Sequence, residues 1–190
     1  MIPKSLAVAI LLLVAGCASG GVSLSRQDIS DSYNPGEFAY AGAGRDLHVV
    51  VVGNPFGGDR EAFGAAVTDA MQGQHFGQRT NFTTMPGAEA RLTYRVVLVF
   101  DPPVGMNAAR LCREEALAVQ TVRADDGIVL SGAFCRGNTA LTRITGRASG
   151  AASARAPAFR DLVGSVTNGL FPPDRGRDRG SRRCLPWMAC

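Results

Sequence analysis

Apolar residues recur at helical spacing in two stretches of this chain, and β-rich runs lie between the two stretches. The first stretch follows Asp59, which is placed to cap a helix, and its stripe consists of Phe63, Ala66, Val67, Ala70 and Met71. The second follows Pro157, and its stripe consists of Phe159, Leu162, Val163, Val166 and Leu170. Because each helix can cover one face of a sheet, this order predicts a two-layer α+β domain with two amphipathic helices.

The strands of this domain are predicted from six β-rich runs. They cover residues 47–52, a short segment near Phe82, and residues 92–100, 117–123, 128–135 and 141–147. Turn signals at Asp125-Asp126-Gly127 and Arg136-Gly137-Asn138 join the last three runs into a predicted three-strand meander. We therefore expect a mostly antiparallel sheet and an α+β domain that spans residues 46–172.

The same order of elements supports a resemblance at the level of fold. Val49-Val50-Val51-Val52-Gly53-Asn54-Pro55-Phe56 and the helix after it are similar to the TolB amino-terminal and curli-secretion type of envelope lipoprotein domain. In that type a strand ending near Pro-Phe precedes a helix, a meander and a closing helix. The resemblance covers roughly residues 46–171 and includes no functional motif, so it implies a fold and no activity.

The N-terminus has the anatomy of an export signal. Lys4 precedes a short apolar stretch, residues 6–16, that ends in small residues. A transmembrane helix needs about 20 apolar residues, so this stretch is too short for a permanent span. We expect residues 1–16 to be a signal peptide, whose removal takes away Lys4, the only lysine of the chain.

Val14-Ala15-Gly16-Cys17 resembles the lipobox of bacterial lipoproteins. The resemblance implies cleavage before Cys17, diacylglycerol on its thiol and acylation, for example by palmitate, of the new amine. Such a protein is anchored stably without any span, because two or more acyl chains hold it on a membrane. In that family an aspartate directly after the cysteine favours the inner membrane. Here the residue is Ala18, which implies the outer membrane, with the domain facing the periplasm. The alternative is an ordinary secretory signal whose cysteine joins a disulfide.

Residues 17–45 are expected to form the lipidated N-terminus and a flexible tether. The segment after Cys17 is rich in Gly, Ser, Asp and Ala, and Asn34-Pro35-Gly36 is typical of a turn. A coil of this length would have a reach of roughly 30 Å, enough to lift the domain off the lipid headgroups.

Four cysteines remain once Cys17 carries lipid. An even number in an oxidising compartment predicts disulfides, and four cysteines allow three connectivities. We favour Cys112–Cys135 and Cys184–Cys190, because the members of each pair are close in sequence. A metal site competes with this interpretation, but the chain has no Cys-x-x-Cys spacing, and both histidines are remote.

The glycine-rich segment, the histidines and the serines of the sequence show no catalytic pattern. The Gly53–Gly58 segment lacks the Gly-Lys-Ser/Thr ending of a phosphate loop and is expected to be a tight turn. His48 is expected to lie in the core and His75 at the surface. Neither Gly-x-Ser-x-Gly nor Ser-x-x-Lys occurs. We therefore expect no enzyme activity, no metal and no cofactor other than the acyl lipid on Cys17.

Residues 173–190 form an arginine-rich tail that ends in a Cys-bounded loop. Residues 174–183 carry a net charge of +3 from two aspartates and five arginines, namely Arg175, Arg177, Arg179, Arg182 and Arg183. Arginines can bind anionic lipids or polymers of an envelope, and Trp187, the only tryptophan, suits a protein contact. A solvating tail without a partner is the alternative. Nucleic acid is a poor candidate for an exported chain.

Together these patterns predict a membrane-anchored, non-enzymatic lipoprotein that acts as a binding or assembly module of the cell envelope. Its partners would be the membrane, through the lipid, and an envelope protein or an anionic envelope polymer. The alternative function is an auxiliary lipoprotein of a transport system, with a lipid or a small apolar ligand bound between sheet and helices.

Overall fold

The fold is a six-stranded sheet with three helices packed on one face. It was obtained as a computed structural model that describes residues 21–106, 110–113 and 127–173. In chain order, the elements are β1 (Val22–Ile29), α1 (Pro35–Gly42), β2 (Asp46–Val52), α2 (Arg60–Met71), β3 (Asn81–Thr83), β4 (Tyr94–Phe100), β5 (Ile128–Arg136), β6 (Thr139–Ala148) and α3 (Pro157–Leu170).

The strands lie in the order β1-β6-β5-β4-β2-β3. Along this order, β1 pairs antiparallel with β6, β6 with β5, and β5 with β4. Strand β2 instead runs parallel to both of its neighbours, β4 and β3. The predicted two-layer α+β domain is confirmed, but its sheet is mixed rather than mostly antiparallel. The physical reason is α2, because a helix between strands lets the chain return and add the next strand in the same direction.

The predicted meander is only partly correct. Its last two strands are confirmed as β5 and β6, with Gly137 in the left-handed region (φ 56°) at their turn. The strand predicted at 117–123 lies outside the described residues. Both edges of β5 are already paired, with β4 on one side and β6 on the other, so β4 takes the position expected for that strand.

The tether predicted for residues 17–45 is wrong for residues 22–42, which form β1 and α1. The ordered domain therefore starts well before residue 46. Strand β1 is largely exposed and polar because it is an edge strand, stabilised mainly by backbone pairing with β6. Composition alone does not distinguish such a strand from a loop.

The main core lies between the sheet and the helix layer. Asp59 caps α2 by accepting a 2.7 Å hydrogen bond from the backbone N–H of Ala62, as predicted. All five residues of the predicted α3 stripe are fully buried. Helix α3 lies directly on the sheet at Gly146, where a Cβ would come within 2.8 Å of Leu162. At this point the interface has no room for a ligand.

The opposite face of the sheet is covered by the loop after β4. Leu111 and Cys112 pack on Val97, Val99 and Ala133 in a second buried cluster. Cys112 and Cys135 are joined by a disulfide, with Cα atoms 5.6 Å apart, which confirms this predicted pair. Cys184 and Cys190 lie outside the described residues.

Candidate functional site

An apolar groove of about 380 Å³ opens at one end of the sheet. Its walls come from the start of α1, the loop after α2 and the residues that follow α3. Aromatic and proline side chains form most of this lining: Tyr33, Pro35, Phe38, Phe76, Phe171 and Pro173. The volume lies within the range of small-ligand pockets, and the lining suits an apolar group.

Helix α1 forms one wall because local capping sets its start. The Asn34 side chain accepts a 3.1 Å hydrogen bond from the backbone N–H of Glu37, and Pro35 occupies the first turn. This start places Phe38 against the end of α3, where its ring stacks on that of Phe171 with centroids 4.1 Å apart. The stacked pair forms a rigid floor for the groove.

Glu37 fixes α1 to the sheet. The Tyr94 hydroxyl donates a 2.7 Å hydrogen bond to Glu37 Oε2, and Arg136 pairs with Glu37 Oε1 at 2.9 Å. Burial and the hydrogen bond to Glu37 raise the pKa of Tyr94. Because Tyr94 lies on β4 and Arg136 on β5, one carboxylate ties this wall to two strands.

The loop after α2 supplies the exposed rim of the groove. Phe76 lines the groove and is 59% exposed, which is unusual for a phenylalanine. The neighbouring His75 is half-buried, and its ring packs edge-on against Phe38 at 5.0 Å and Phe82 at 5.4 Å between centroids. The expectation that His75 is a plain surface residue is therefore wrong, because it belongs to the aromatic cluster behind the groove.

The groove and the start of β1 lie at opposite ends of the sheet. Val22 pairs with Ala148 at one end, while Ile29 pairs with Thr142 at the other. Tyr33 follows closely after Ile29, and Gln27 donates to the Gly169 carbonyl near the end of α3, on the groove side. An eight-residue strand spans about 25 Å, so this distance separates the N-terminal end of the domain from the groove.

A polar cleft of about 460 Å³ lies near the start of β2. Asn81 donates a 2.7 Å hydrogen bond to Asp46 Oδ1, and the backbone N–H of Gly87 donates to Oδ2 at 2.8 Å. These two hydrogen bonds lower the pKa of Asp46. Both carboxylate oxygens therefore serve to join β2, β3 and the following loop.

His48 is half-buried on the face of the sheet that carries the disulfide, rather than in the main core. Its register partner on β4 is Arg95. Burial lowers the pKa of His48, and the positive charge of Arg95 lowers it further. A neutral imidazole is thus favoured in the folded protein.

The Gly53–Gly58 segment forms the tight turn that the sequence predicts. Asn54 Oδ1 accepts from the backbone N–H of Phe56 at 3.0 Å, and Asn54 Nδ2 donates to the Gly57 carbonyl at 2.8 Å. Gly57 and Gly58 both have positive φ angles. The turn therefore closes on its own hydrogen bonds.

The described ranges are 21–106, 110–113 and 127–173. They contain no group of three His, Cys, Asp or Glu side chains that could hold a metal ion. No helix in them is long and apolar enough to cross a bilayer. Most residues singled out from the sequence fall outside them: Cys17, Cys184, Cys190, Arg175, Arg177, Arg179, Arg182, Arg183 and Trp187.

The groove was not predicted from the sequence, because α1 was not predicted. A signal was present in Asn34-Pro35, since an N-cap followed by proline in the first turn is a helix start as well as a turn. Phe38 and Ala41 then lie three residues apart and are both buried. No local signal predicts that Phe171 packs on Phe38, because this contact depends on where α3 ends over the sheet.

No protein-family model matches the chain, and no curated protein matches it either. Among solved structures, the chain is similar to a PelC dodecamer from Paraburkholderia phytofirmans, with a TM-score of 0.37 and 8% sequence identity. The match covers 83% of this chain and 99% of that one. A TM-score at this level supports no conclusion about the function of this chain.

Proposed function

We propose that this chain is a lipid-anchored, non-enzymatic binding module of a bacterial cell envelope, and that its apolar groove is the binding site. The anchor is Cys17 of the lipobox-like Val14-Ala15-Gly16-Cys17 segment. The location that this implies is the periplasmic face of the outer membrane.

The position of the groove relative to the anchor carries this proposal. Four residues lie between Cys17 and Val22, where β1 begins, so the lipid and the sheet are at most about 18 Å apart along the chain. A short connection holds the Val22 end of the sheet near the bilayer. The groove, about 25 Å further along β1, then faces the aqueous space, where a partner can reach it.

The lining of the groove favours an envelope protein over an anionic polymer as its partner. The groove presents the aromatic rings of Phe38, Phe76 and Phe171. Such a surface gains the most binding free energy from contact with an apolar or aromatic side chain. An anionic polymer would need positive charge, and none of the described residues that line the groove is charged. The partner at the groove is therefore a protein that presents an apolar side chain.

The anchor is tested by fractionation of cells that express Cys17→Ala. The variant lacks the thiol that carries the lipid, so the chain should leave the membrane fraction or accumulate unprocessed. Ser19→Ala, two residues further on, is the matched control and should stay with the membrane. Membrane association of Cys17→Ala equal to that of the control would contradict the lipid anchor.

The groove is tested by a photo-crosslinking phenylalanine analogue placed at position 76 or, as a control, at position 92. Phe76 and Leu92 are similarly exposed, at 59% and 66%, but only Phe76 lines the groove. A defined protein adduct from position 76 that is absent from position 92 supports the proposal. Equal labelling from both positions would reject a specific site.

The second candidate function is an auxiliary transport lipoprotein that holds a lipid or small apolar molecule. The size and aromatic lining of the groove favour this candidate, although the groove lies at the end of the sheet rather than between sheet and helices. Native mass spectrometry of the purified chain separates the two. A bound lipid that is lost in Phe76→Ala but kept in Leu92→Ala would favour transport over protein binding.

A further inference from the structure

We propose that the apolar groove is occupied in cis by the chain's own C-terminal segment, Leu185-Pro186-Trp187-Met188, with Trp187 packed against Phe76. An external partner then has to displace this segment, which makes the tail a regulator of the site. The inference rests on the proposed function, because it names an occupant of the same groove.

The path of the chain is the first argument for this occupant. Phe171, Pro172 and Pro173 all line the groove, and the described part of the chain stops at Pro173. The segment that continues from this point therefore starts within the site. Eleven residues, 174–184, separate Pro173 from Leu185, and a chain of that length has a typical reach of roughly 20 Å. This is long enough for the segment to turn back onto the groove.

Tethering makes even a weak contact effective. A short connection raises the local concentration of its own end to the millimolar range. A segment that binds the free groove with millimolar affinity would therefore occupy it for about half of the time.

The chemistry of the segment matches that of the groove. Trp187 is the only tryptophan of the chain, and its indole combines a large apolar surface with one N–H donor. Phe76 provides an exposed ring for the indole to pack on. Gln78 is also in the lining, and its side-chain carbonyl is of the type that accepts an indole N–H. Leu185, Pro186 and Met188 add apolar surface on both sides of the indole.

Occupancy in cis has a direct consequence for a partner. The apparent affinity of a competing ligand equals its affinity for the free groove multiplied by the fraction of molecules whose groove is free. Deletion of residues 174–190 should thus strengthen partner binding at position 76 rather than abolish it. A tail that itself presents Trp187 to a partner would have the opposite effect on deletion.

Because Trp187 is the sole tryptophan, its fluorescence reports the contact without a label. We compare the full chain, in a detergent without aromatic groups, with a synthetic peptide of residues 184–190 in the same detergent. The intact chain should show blue-shifted emission and weaker quenching by acrylamide. Phe76→Ala should lower the cis occupancy constant by roughly tenfold, as truncation of an aromatic anchor does. The matched control, Leu92→Ala, should leave emission and quenching unchanged.

Three outcomes would overturn the inference. The first is emission and quenching in the intact chain equal to those of the peptide, and the second is the same signal in Phe76→Ala and wild type. A blue shift that grows with chain concentration would place the tail in the groove of a second copy instead of its own. Crosslinking from position 76 in a chain that lacks residues 174–190 tests the groove separately. A specific adduct there keeps the proposed function even if the fluorescence experiment rejects the cis contact.

Discussion

The hydroxyl of Tyr33 donates a 2.8 Å hydrogen bond to the backbone carbonyl of Pro172. The two residues are 139 positions apart, so the bond joins the segment before α1 to the segment after α3. Both residues line the groove, and the Tyr33 ring is almost completely buried. This contact holds the two walls of the groove at a fixed separation, so the groove exists before any ligand arrives.

Tyr33→Phe removes this hydrogen bond while keeping the ring. We expect the free energy of unfolding at neutral pH to fall by about 1 kcal/mol, the usual net contribution of such a bond. Urea denaturation of the variant and the wild type measures this change. A loss within experimental error would show that the bond does not hold the walls together.

The same tyrosine predicts a weakening of the fold at high pH. Burial raises the pKa of Tyr33 from 10.0 to about 12, so the unfolded chain ionises before the folded one. Its contribution to stability is complete below pH 10 and is lost as the pH rises from about 10 to 12. Stability measured over this range should fall less steeply in Tyr33→Phe. The pKa of Tyr94 is also raised, but Tyr94 is present in both proteins, so the difference between their curves reports on Tyr33.

Removal of the Cys112–Cys135 disulfide should destabilise the domain strongly. The bond closes a loop with a sequence separation of 23, for which the chain-entropy model gives about 3 kcal/mol. We expect Cys112→Ser with Cys135→Ser to lower the midpoint of thermal unfolding and to abolish its response to dithiothreitol. The control is Cys184→Ser with Cys190→Ser, which changes two cysteines outside the described domain and should keep that response. Equal midpoints for wild type and the first double variant would contradict this prediction.

Gly146→Ala tests how closely α3 lies on the sheet. The new Cβ would meet Leu162 at 2.8 Å, Val166 at 3.0 Å and Leu24 at 3.1 Å, so the core must shift to accept it. Overpacking of this kind costs about 1 to 3 kcal/mol. Gly21→Ala is the control, because nothing lies within 4 Å of its Cβ position. Similar stability of both variants in chemical denaturation would indicate free space under α3, where a ligand could bind.

His48 predicts a loss of stability on the acid side of neutrality. Its pKa is lowered in the folded protein by burial and by Arg95, so the unfolded chain takes up the proton first. The stability that depends on neutral His48 is complete above pH 6.5, the ordinary pKa of histidine, and is lost as the pH falls through the folded pKa. His48→Gln should flatten the curve of stability against pH between about 7 and 5. NMR titration of the imidazole protons gives the folded pKa directly, and a value at or above 6.5 would contradict this account.

Two of the three helices in the described part of the chain, α2 and α3, were readable from the sequence. The stripes that begin at Phe63 and Phe159 repeat at helical spacing because each helix buries one face, and this requirement acts within a single segment. The central strands were readable for a similar reason, since β4 and β5 are buried and rich in apolar residues. The Cys112–Cys135 pair could be inferred because the two cysteines are close in sequence.

The tertiary structure alone decided the order of the sheet and the existence of the groove. Strand β1 is polar and exposed, and its partner β6 is distant in sequence, so no local pattern reveals it. The parallel pairing of β2 with β3 depends on how α2 carries the chain back across the sheet, and the spacing of apolar residues does not encode this path. The groove requires Tyr33 to meet Pro172 and Phe38 to stack on Phe171, contacts between residues more than a hundred positions apart. Local sequence sets which face of each element is apolar, whereas the packing of all the elements together sets which of these faces meet.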